Sequence, residues 1–331
     1  MKAVQINRFG SSAEFHVKEI AIPQVKPGHV LIKVYATSVN PLDYKLRNGD
    51  YANLVPEFPM ILHGDVAGTI AETAPDVTSF KKGDEVYGCI GGFLSLQGAL
   101  ADYVVTDYRL IALTPRTLSL RQAAALPLVS ETAWEGLFNK ARLQPKQSVL
   151  IYGGTGGVGH IAALFAKAAG ANVSVTASSA EKSALIKNQL GIANIFNYKN
   201  QSIEDYVKTF THGQGFDIVF DTVGGDNLNN AIKAVANNGH VISILPRGDY
   251  DLTGLYFKNA SLHTVFQPLP IMTQRNMEKY GSMLKLIANF IDHNHITPLI
   301  DPAHFNFSQV ALAHDHLESG SAIGKIVVEN S

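Results

Sequence analysis

Residues 149–159 read Val149-Leu150-Ile151-Tyr152-Gly153-Gly154-Thr155-Gly156-Gly157-Val158-Gly159. A β-branched apolar run ends in a burst of glycines. An Ala-rich segment of helical character follows from about Gly157 to Ala169 and stops at Gly170. Gly154, Gly156 and Gly159 have G-x-G-x-x-G spacing between a strand and a helix. The first glycine allows a tight turn, the second lets backbone N–H groups approach a pyrophosphate, and the third lets helix and strand pack closely. A pyrophosphate then lies at the positive end of the helix dipole. Gly154, Thr155, Gly156, Gly157, Val158 and Gly159 are therefore the candidate phosphate contacts.

The elements that must carry this loop are legible downstream. Strands are predicted at Asn172–Ala177, Asn194–Tyr198, Phe216–Asp221 and His240–Leu245, with a sixth at Leu262–Phe266. Between them lie helical segments at Ala180–Leu190, from Ser202, and at Asn227–Ala236, with Ser202 as an N-cap followed by Glu204 and Asp205. Strands alternating with helices at this spacing predict a parallel, doubly wound sheet.

Residues 1–120 read differently. Six short strands are predicted at Lys2–Asn7, His16–Ile22, Val30–Tyr35, Val66–Glu72, Glu85–Tyr87 and Ala101–Thr106. Turn signals such as Lys26-Pro27-Gly28 and Lys81-Lys82-Gly83-Asp84 separate them. The chain ends with helices near Tyr280–Asp292 and Ser308–Leu317 and a strand at Lys325–Glu329. Its 331 residues suffice for two domains. The formal net charge of -1 offers no surplus for nucleic acid or a membrane surface. The single cysteine, Cys89, excludes an intrachain disulfide framework and a Cys-rich zinc lobe. The apolar runs are too interrupted to span a bilayer and the first residues lack a signal-peptide core, so a cytoplasmic protein is expected.

Several motifs together resemble the medium-chain dehydrogenase/reductase superfamily, in its zinc-free quinone oxidoreductase (zeta-crystallin-like) and enone reductase branch. Ser38-Val39-Asn40-Pro41-Leu42-Asp43 is similar to a VNPxD segment, and Gly64-Asp65-Val66-Ala67-Gly68 to a shortened G-x-D-x-A-G signature. Phe80-Lys81-Lys82-Gly83-Asp84-Glu85-Val86-Tyr87-Gly88 is similar to an FKxGDxVxG turn. Ala125-Leu126-Pro127-Leu128 with Glu131-Thr132-Ala133 resembles the enone reductases, and Gly324-Lys325-Ile326-Val327-Val328 the closing strand. The resemblance implies an α/β fold: a GroES-like β-rich domain, residues 1–122 and 267–331, and a Rossmann domain, residues 123–266, with the active site in the cleft between them.

Zinc-dependent members of that superfamily take ligands at the positions of Asn40, Gly64 or Asp65, and Leu128. Only Asp65 suits a metal, so no metal site is expected. His63 is displaced by one residue and reads as structural. His293/His295 and His314/His316 read as solvated histidines on or beside surface helices. No tyrosine has a lysine four residues later, which removes the short-chain dehydrogenase alternative.

The second strand of the nucleotide fold ends in Ala177-Ser178-Ser179, where an NAD-binding fold usually has an acid for the ribose 2′-hydroxyl. Ser178, Lys182 and Tyr198 fall where relatives contact the 2′-phosphate, so NADPH is the expected cofactor. Asn40, Thr132, Phe266 and Lys325 are further candidate cofactor contacts. Hydride transfer to a quinone or an α,β-unsaturated carbonyl creates an oxyanion, which without zinc needs a hydrogen-bond donor. The resemblance implies that Lys45, where the enone reductases carry a lysine, and Tyr51, at a cleft tyrosine, border the site, and with Asn40 they are the candidate catalytic residues. Cys89 reads as buried and inert, Trp134 as packing, and Phe93 and Phe266 as candidate pocket walls.

The expected activity is NADPH-dependent reduction of a small-molecule quinone or enone, with no nucleic acid or membrane partner. A homodimer is expected through the apolar strand Leu262–Phe266. The alternatives are a zinc-dependent alcohol dehydrogenase and a non-catalytic NADPH-binding structural or RNA-binding protein. The near-neutral charge gives RNA binding no support.

Overall fold

The structure is a computed structural model that describes residues 1–330. It divides into two compact units, Met1–Glu131 with the return from Pro268, and Thr132–Gln267. The first carries strands β1 (Lys2–Gln5), β2 (His16–Glu19), β3 (His29–Ser38), β4 (Asp65–Thr73), β5 (Glu85–Cys89), β6 (Tyr103–Asp107) and β7 (Ile111–Leu113). Helix α1 (Pro41–Asn48) follows β3, and α2 (Leu120–Ala124) and α3 (Pro127–Trp134) lead to the second unit.

The second unit contains β8 (Ser148–Tyr152), α4 (Gly157–Ala168), β9 (Asn172–Ala177), α5 (Ala180–Leu185), β10 (Asn194–Asn197), α6 (Ile203–Thr211), β11 (Phe216–Asp221), α7 (Asn227–Ala234), β12 (Val235–Ser243), α8 (Thr253–Lys258) and β13 (Ser261–Thr264). The chain returns through α9 (Leu269–Thr273), α10 (Met277–Asn294), β14 (Phe305–Asn306), α11 (Val310–Glu318) and β15 (Val327–Glu329).

In the second unit six parallel strands lie in the order β10-β9-β8-β11-β12-β13. This is the doubly wound sheet expected from the alternating pattern. Val149, Leu150 and Ile151 of β8 are all buried, which is why that strand reads as a continuous apolar run. At β12 the boundary differs from the predicted one. The segment predicted as the end of a helix at 235–236 already belongs to β12. Helix α7 stops because Val235 is extended and buried, pairing with Phe216. Residues 236–239 then loop out before His240 resumes pairing with Ile218. Local sequence cannot show that interruption, because it is fixed by the partner strand.

The first unit is built on a mainly antiparallel sheet in the order β14-β15-β3-β4-β5-β7, with β6 also paired to β3. Strand β3 runs four residues longer than its predicted core in total, and ends at Ser38, two residues before Asn40. Strands β7 and β14, of three and two residues and with no counterpart among the predicted strands, carry too few residues for an alternating signal. Val30, Ile32, Val66, Ile70, Val86, Val104 and Val328 meet in the core of this unit, joined by Tyr280 of α10 and Val310 of α11. Phe93 belongs to this core and not to a pocket wall.

Candidate active site

In the second unit the glycine-rich loop has the shape that a phosphate requires. Helix α4 starts at Gly157 with exposed Gly156 as its N-cap residue, so the first-turn N–H groups face outward. A Cβ on Gly159 would stand 2.1 Å from Gly153 O, and one on Gly154 would stand 2.9 Å from Val175 Cβ. Side chains are excluded at both positions, as the motif demands. Gly153, just ahead of the motif, adopts φ 78 and turns the chain out of β8. Beneath the loop, buried His160 places Nδ1 2.9 Å from Gly156 O. Sequence reasoning passed over this histidine, because its partner is a backbone carbonyl.

The end of β9 lies beside the end of β10. Asn197 pairs with Ala177, and Tyr198 N–H reaches Ala177 O at 3.3 Å. Tyr198 is exposed there, while Lys182 is half-buried in the first turn of α5. The N-cap of α5 is Ser179, whose side chain accepts from Lys182 N–H at 3.3 Å. Ser178 is therefore not consumed as the cap. Glu181 turns toward Ser179, and that hydrogen bond lowers its carboxyl pKa. Thr132 sits buried within α3 rather than at a turn, and Phe266 is exposed two residues after β13. Trp134 packs against Phe138 and Phe165.

The first unit brings the three expected metal-ligand positions together, but around a lysine. Asp65 Oδ2 accepts from Ser38 Oγ at 2.7 Å, from Asn40 Nδ2 at 2.7 Å and from Lys325 Nζ at 3.3 Å. Its Oδ1 accepts from the backbone N–H of Leu128 at 2.9 Å, near the start of α3. Lys325 Nζ also donates to Asn40 Oδ1 at 2.5 Å and to Val39 O at 3.1 Å. Asn40, Asp65 and Lys325 are only 3%, 0% and 2% exposed. Among the described residues, no three His, Cys, Asp or Glu side chains are grouped to hold a metal ion. The sequence marks Lys325 only through the family resemblance, as a candidate cofactor contact; its pairing with Asn40 and Asp65 has no local signal.

A second buried chain of hydrogen bonds runs alongside. Thr37 Oγ donates to Asp65 O at 2.5 Å and so accepts from His63 Nδ1 at 3.3 Å. His63 Nε2 must then accept from His314 Nε2, 2.9 Å away. His314 Nδ1 accepts in turn from Arg47 Nη1 at 3.2 Å, because a guanidinium only donates. Both tautomers follow from these fixed ends. Arg47 Nη2 also meets Glu318 at 2.6 Å. His314, expected to be solvated, is fully buried, because α11 packs its face against α1 and the imidazole finds partners there. Burial, and then the Lys325 charge, lowers the His63 pKa to about 3. His314 is lowered as well, mainly by burial.

Helix α1 begins after Asn40, whose N–H donates to Asp43 at 2.7 Å. Burial pushes the Asp43 carboxyl up to about 7. Lys45 is half-buried on this helix, with Nζ 6.0 Å from the Tyr44 ring centre, and Tyr51 follows the helix as a half-buried residue. Glu131 is fully buried, neither carboxyl oxygen has a hydrogen-bond partner, and burial raises its pKa well above the usual range. Burial likewise pushes the Cys89 thiol up, so it is not a thiolate.

A GroES-like β unit and a parallel sheet with a glycine-rich phosphate loop define an oxidoreductase that uses a nicotinamide dinucleotide. Residues 26–116 match the alcohol dehydrogenase GroES-like domain family, and residues 157–286 match the zinc-binding dehydrogenase family. The chain is 34% identical to 2-methylene-furan-3-one reductase of Solanum lycopersicum, over 99% of its own length and 79% of that protein. It is 30% identical to quinone oxidoreductase of Rattus norvegicus, covering 99% and 97%. It is 32% identical to the chloroplastic NADPH-dependent alkenal/one oxidoreductase of Arabidopsis thaliana, covering 93% and 74%. The crystal structure of an alcohol dehydrogenase superfamily protein from Novosphingobium aromaticivorans superposes with a TM-score of 0.94 at 36% identity, covering both chains fully. The chain belongs to the medium-chain dehydrogenase/reductase superfamily, in its quinone oxidoreductase and alkenal/one oxidoreductase branch. No described helix is long and apolar enough to cross a membrane.

Proposed function

We propose that this protein reduces quinones or α,β-unsaturated carbonyls with NADPH and without zinc. The observation that carries this reading is the occupied Asn40–Asp65 position. Its oxygens already surround the Lys325 ammonium, so a metal would have to displace a buried cation. The names of the tomato, rat and Arabidopsis relatives support quinone and alkenal substrates.

The cofactor's dihydronicotinamide supplies a hydride. This chain's residues do the rest. The loop from Gly154 to Gly159 holds the pyrophosphate against α4. Ser178, Lys182 and Tyr198 recognise the 2′-phosphate, and no acid stands at 177–179 to repel it. Thr132 and Phe266 of the second unit contact the nicotinamide. Lys45, Tyr51 and Asn40 supply donors for the oxygen that becomes negative as hydride reaches the conjugated carbon. Water returns the proton. The experiment is a panel of quinones and 2-alkenals assayed with NADPH and NADH, on protein whose zinc content has been measured. NADPH-dependent turnover with well below one zinc per chain is expected. Stoichiometric zinc with chelator-sensitive turnover would return the zinc dehydrogenase reading, and no turnover at all the non-catalytic one.

A further inference from the structure

Asn40 is gripped at both ends of its amide. Its oxygen accepts from Lys325 Nζ at 2.5 Å, and its nitrogen donates to Asp65 Oδ2 at 2.7 Å. An ammonium can only donate and a carboxylate can only accept, so the amide has one orientation. The other two Lys325 hydrogens go to Val39 O and Asp65 Oδ2, and Asp65 is further pinned by Ser38 and Leu128 N–H. One Asn40 Nδ2 hydrogen is left over by this network.

We propose that Lys325 is a positioning residue that acts through Asn40, turning the remaining Nδ2–H into a fixed, polarised donor for the carbonyl oxygen of the substrate. This role of Lys325 rests on the reductase reading above. A cation on the amide oxygen draws charge from the nitrogen, and hydrogen bonds in series strengthen one another in a dry interior. Hydride addition to the β-carbon of an enone, or to a quinone, leaves the electron pair on that oxygen. The cofactor is oxidised by two electrons, the Asn40 N–H stabilises the oxyanion, and water then supplies one proton. A purely structural tie between β15 and β4 could be apolar, with no charges to desolvate. The buried ammonium therefore calls for an electrostatic use. This gives Lys325 a place behind Asn40 instead of a direct cofactor contact.

The test is a double-mutant cycle of Asn40→Ala and Lys325→Met, measured as kcat, KM and NADPH affinity with a quinone and a 2-alkenal. Each single variant is expected to lower kcat about ten- to a thousandfold, the range of one oxyanion donor or somewhat less. NADPH affinity should hardly change. The double variant should be no slower than Asn40→Ala alone, because Lys325 works through Asn40. Lys325→Arg should recover part of the rate. Since Lys325→Met strands the Asp65 carboxylate, the charge-neutral pair Lys325→Met/Asp65→Asn is measured in parallel. A readout without substrate is the Asn40 side-chain amide proton resonance, assigned by its loss in Asn40→Ala. It should move upfield in both variants lacking the lysine. Additive kinetic losses, or an Asn40 resonance indifferent to Lys325, would overturn the proposal. A wild-type protein that oxidises NADPH with no quinone or alkenal overturns the reductase reading instead, and the resonance still judges the Lys325–Asn40 link.

Discussion

Removing the imidazoles of the buried His63–His314 pair should change how the first unit responds to acid. The folded pKa of His63 is lowered to about 3, against an ordinary 6.5. Below pH 6.5 the unfolded chain therefore binds a proton that the folded chain refuses. The pair's contribution is complete above pH 6.5 and is lost as pH falls toward 3. At pH 5 the His63 share of that loss is about 2 kcal/mol, or about 30-fold in the opening equilibrium. His314 is shifted the same way and adds to it. Asp43, raised to about 7, and Glu131 act in the opposite sense, since the folded state binds their protons more tightly. Wild type alone therefore does not isolate the histidines. The comparison is with His63→Asn/His314→Gln. Asparagine suits position 63 because His63 has φ 71.

The assay is hydrogen exchange across β3 at pH 8 and pH 5, corrected for intrinsic rates. It reports opening of the first unit, whereas the single tryptophan, Trp134, lies in the second. Relative to the double variant, wild type should lose about 30-fold or more of its protection on going to pH 5. Equal pH dependence in the two proteins would refute the assignment of this buried pair as a neutral, hydrogen-bonded unit.

Lys182→Ala should weaken NADPH binding about ten- to a hundredfold while leaving NADH nearly unchanged, as titration of both cofactors would show. Ala177→Asp should go further by repelling the 2′-phosphate, and equal weakening of both cofactors by Lys182→Ala would contradict the phosphate assignment. Lys45→Met should lower kcat/KM about ten- to a thousandfold with little effect on NADPH affinity. An unaltered rate would leave Tyr51 as the next donor to test. Light scattering should give twice the 35.8 kDa chain mass if the edge strand β13 pairs with a second copy. A strictly monomeric protein would count against that pairing.

The nucleotide fold was legible in the sequence because its signals are local. The run Val149–Tyr152 with the glycines after it, the Ser202 cap of α6, and the alternation of strands with helices each depend on neighbours along the chain. The ends of β12 and the N-cap of α5 were less legible, because pairing with β11 fixes the first and one of two adjacent serines takes the second. The absence of soft metal ligands at positions 40, 64, 65 and 128 was also a matter of residue identity alone. What occupies that place was not. Asn40, Asp65 and Lys325 are far apart in sequence, and only the pairing of β15 with β3 and of β3 with β4 brings them within hydrogen-bonding distance. The same holds for His63 and His314, 251 residues apart, whose burial depends on α11 packing against α1. Local pattern determines which elements form. Burial and partnership of polar side chains are set by elements that meet late, and those decide whether a lysine is solvated or a histidine stays neutral.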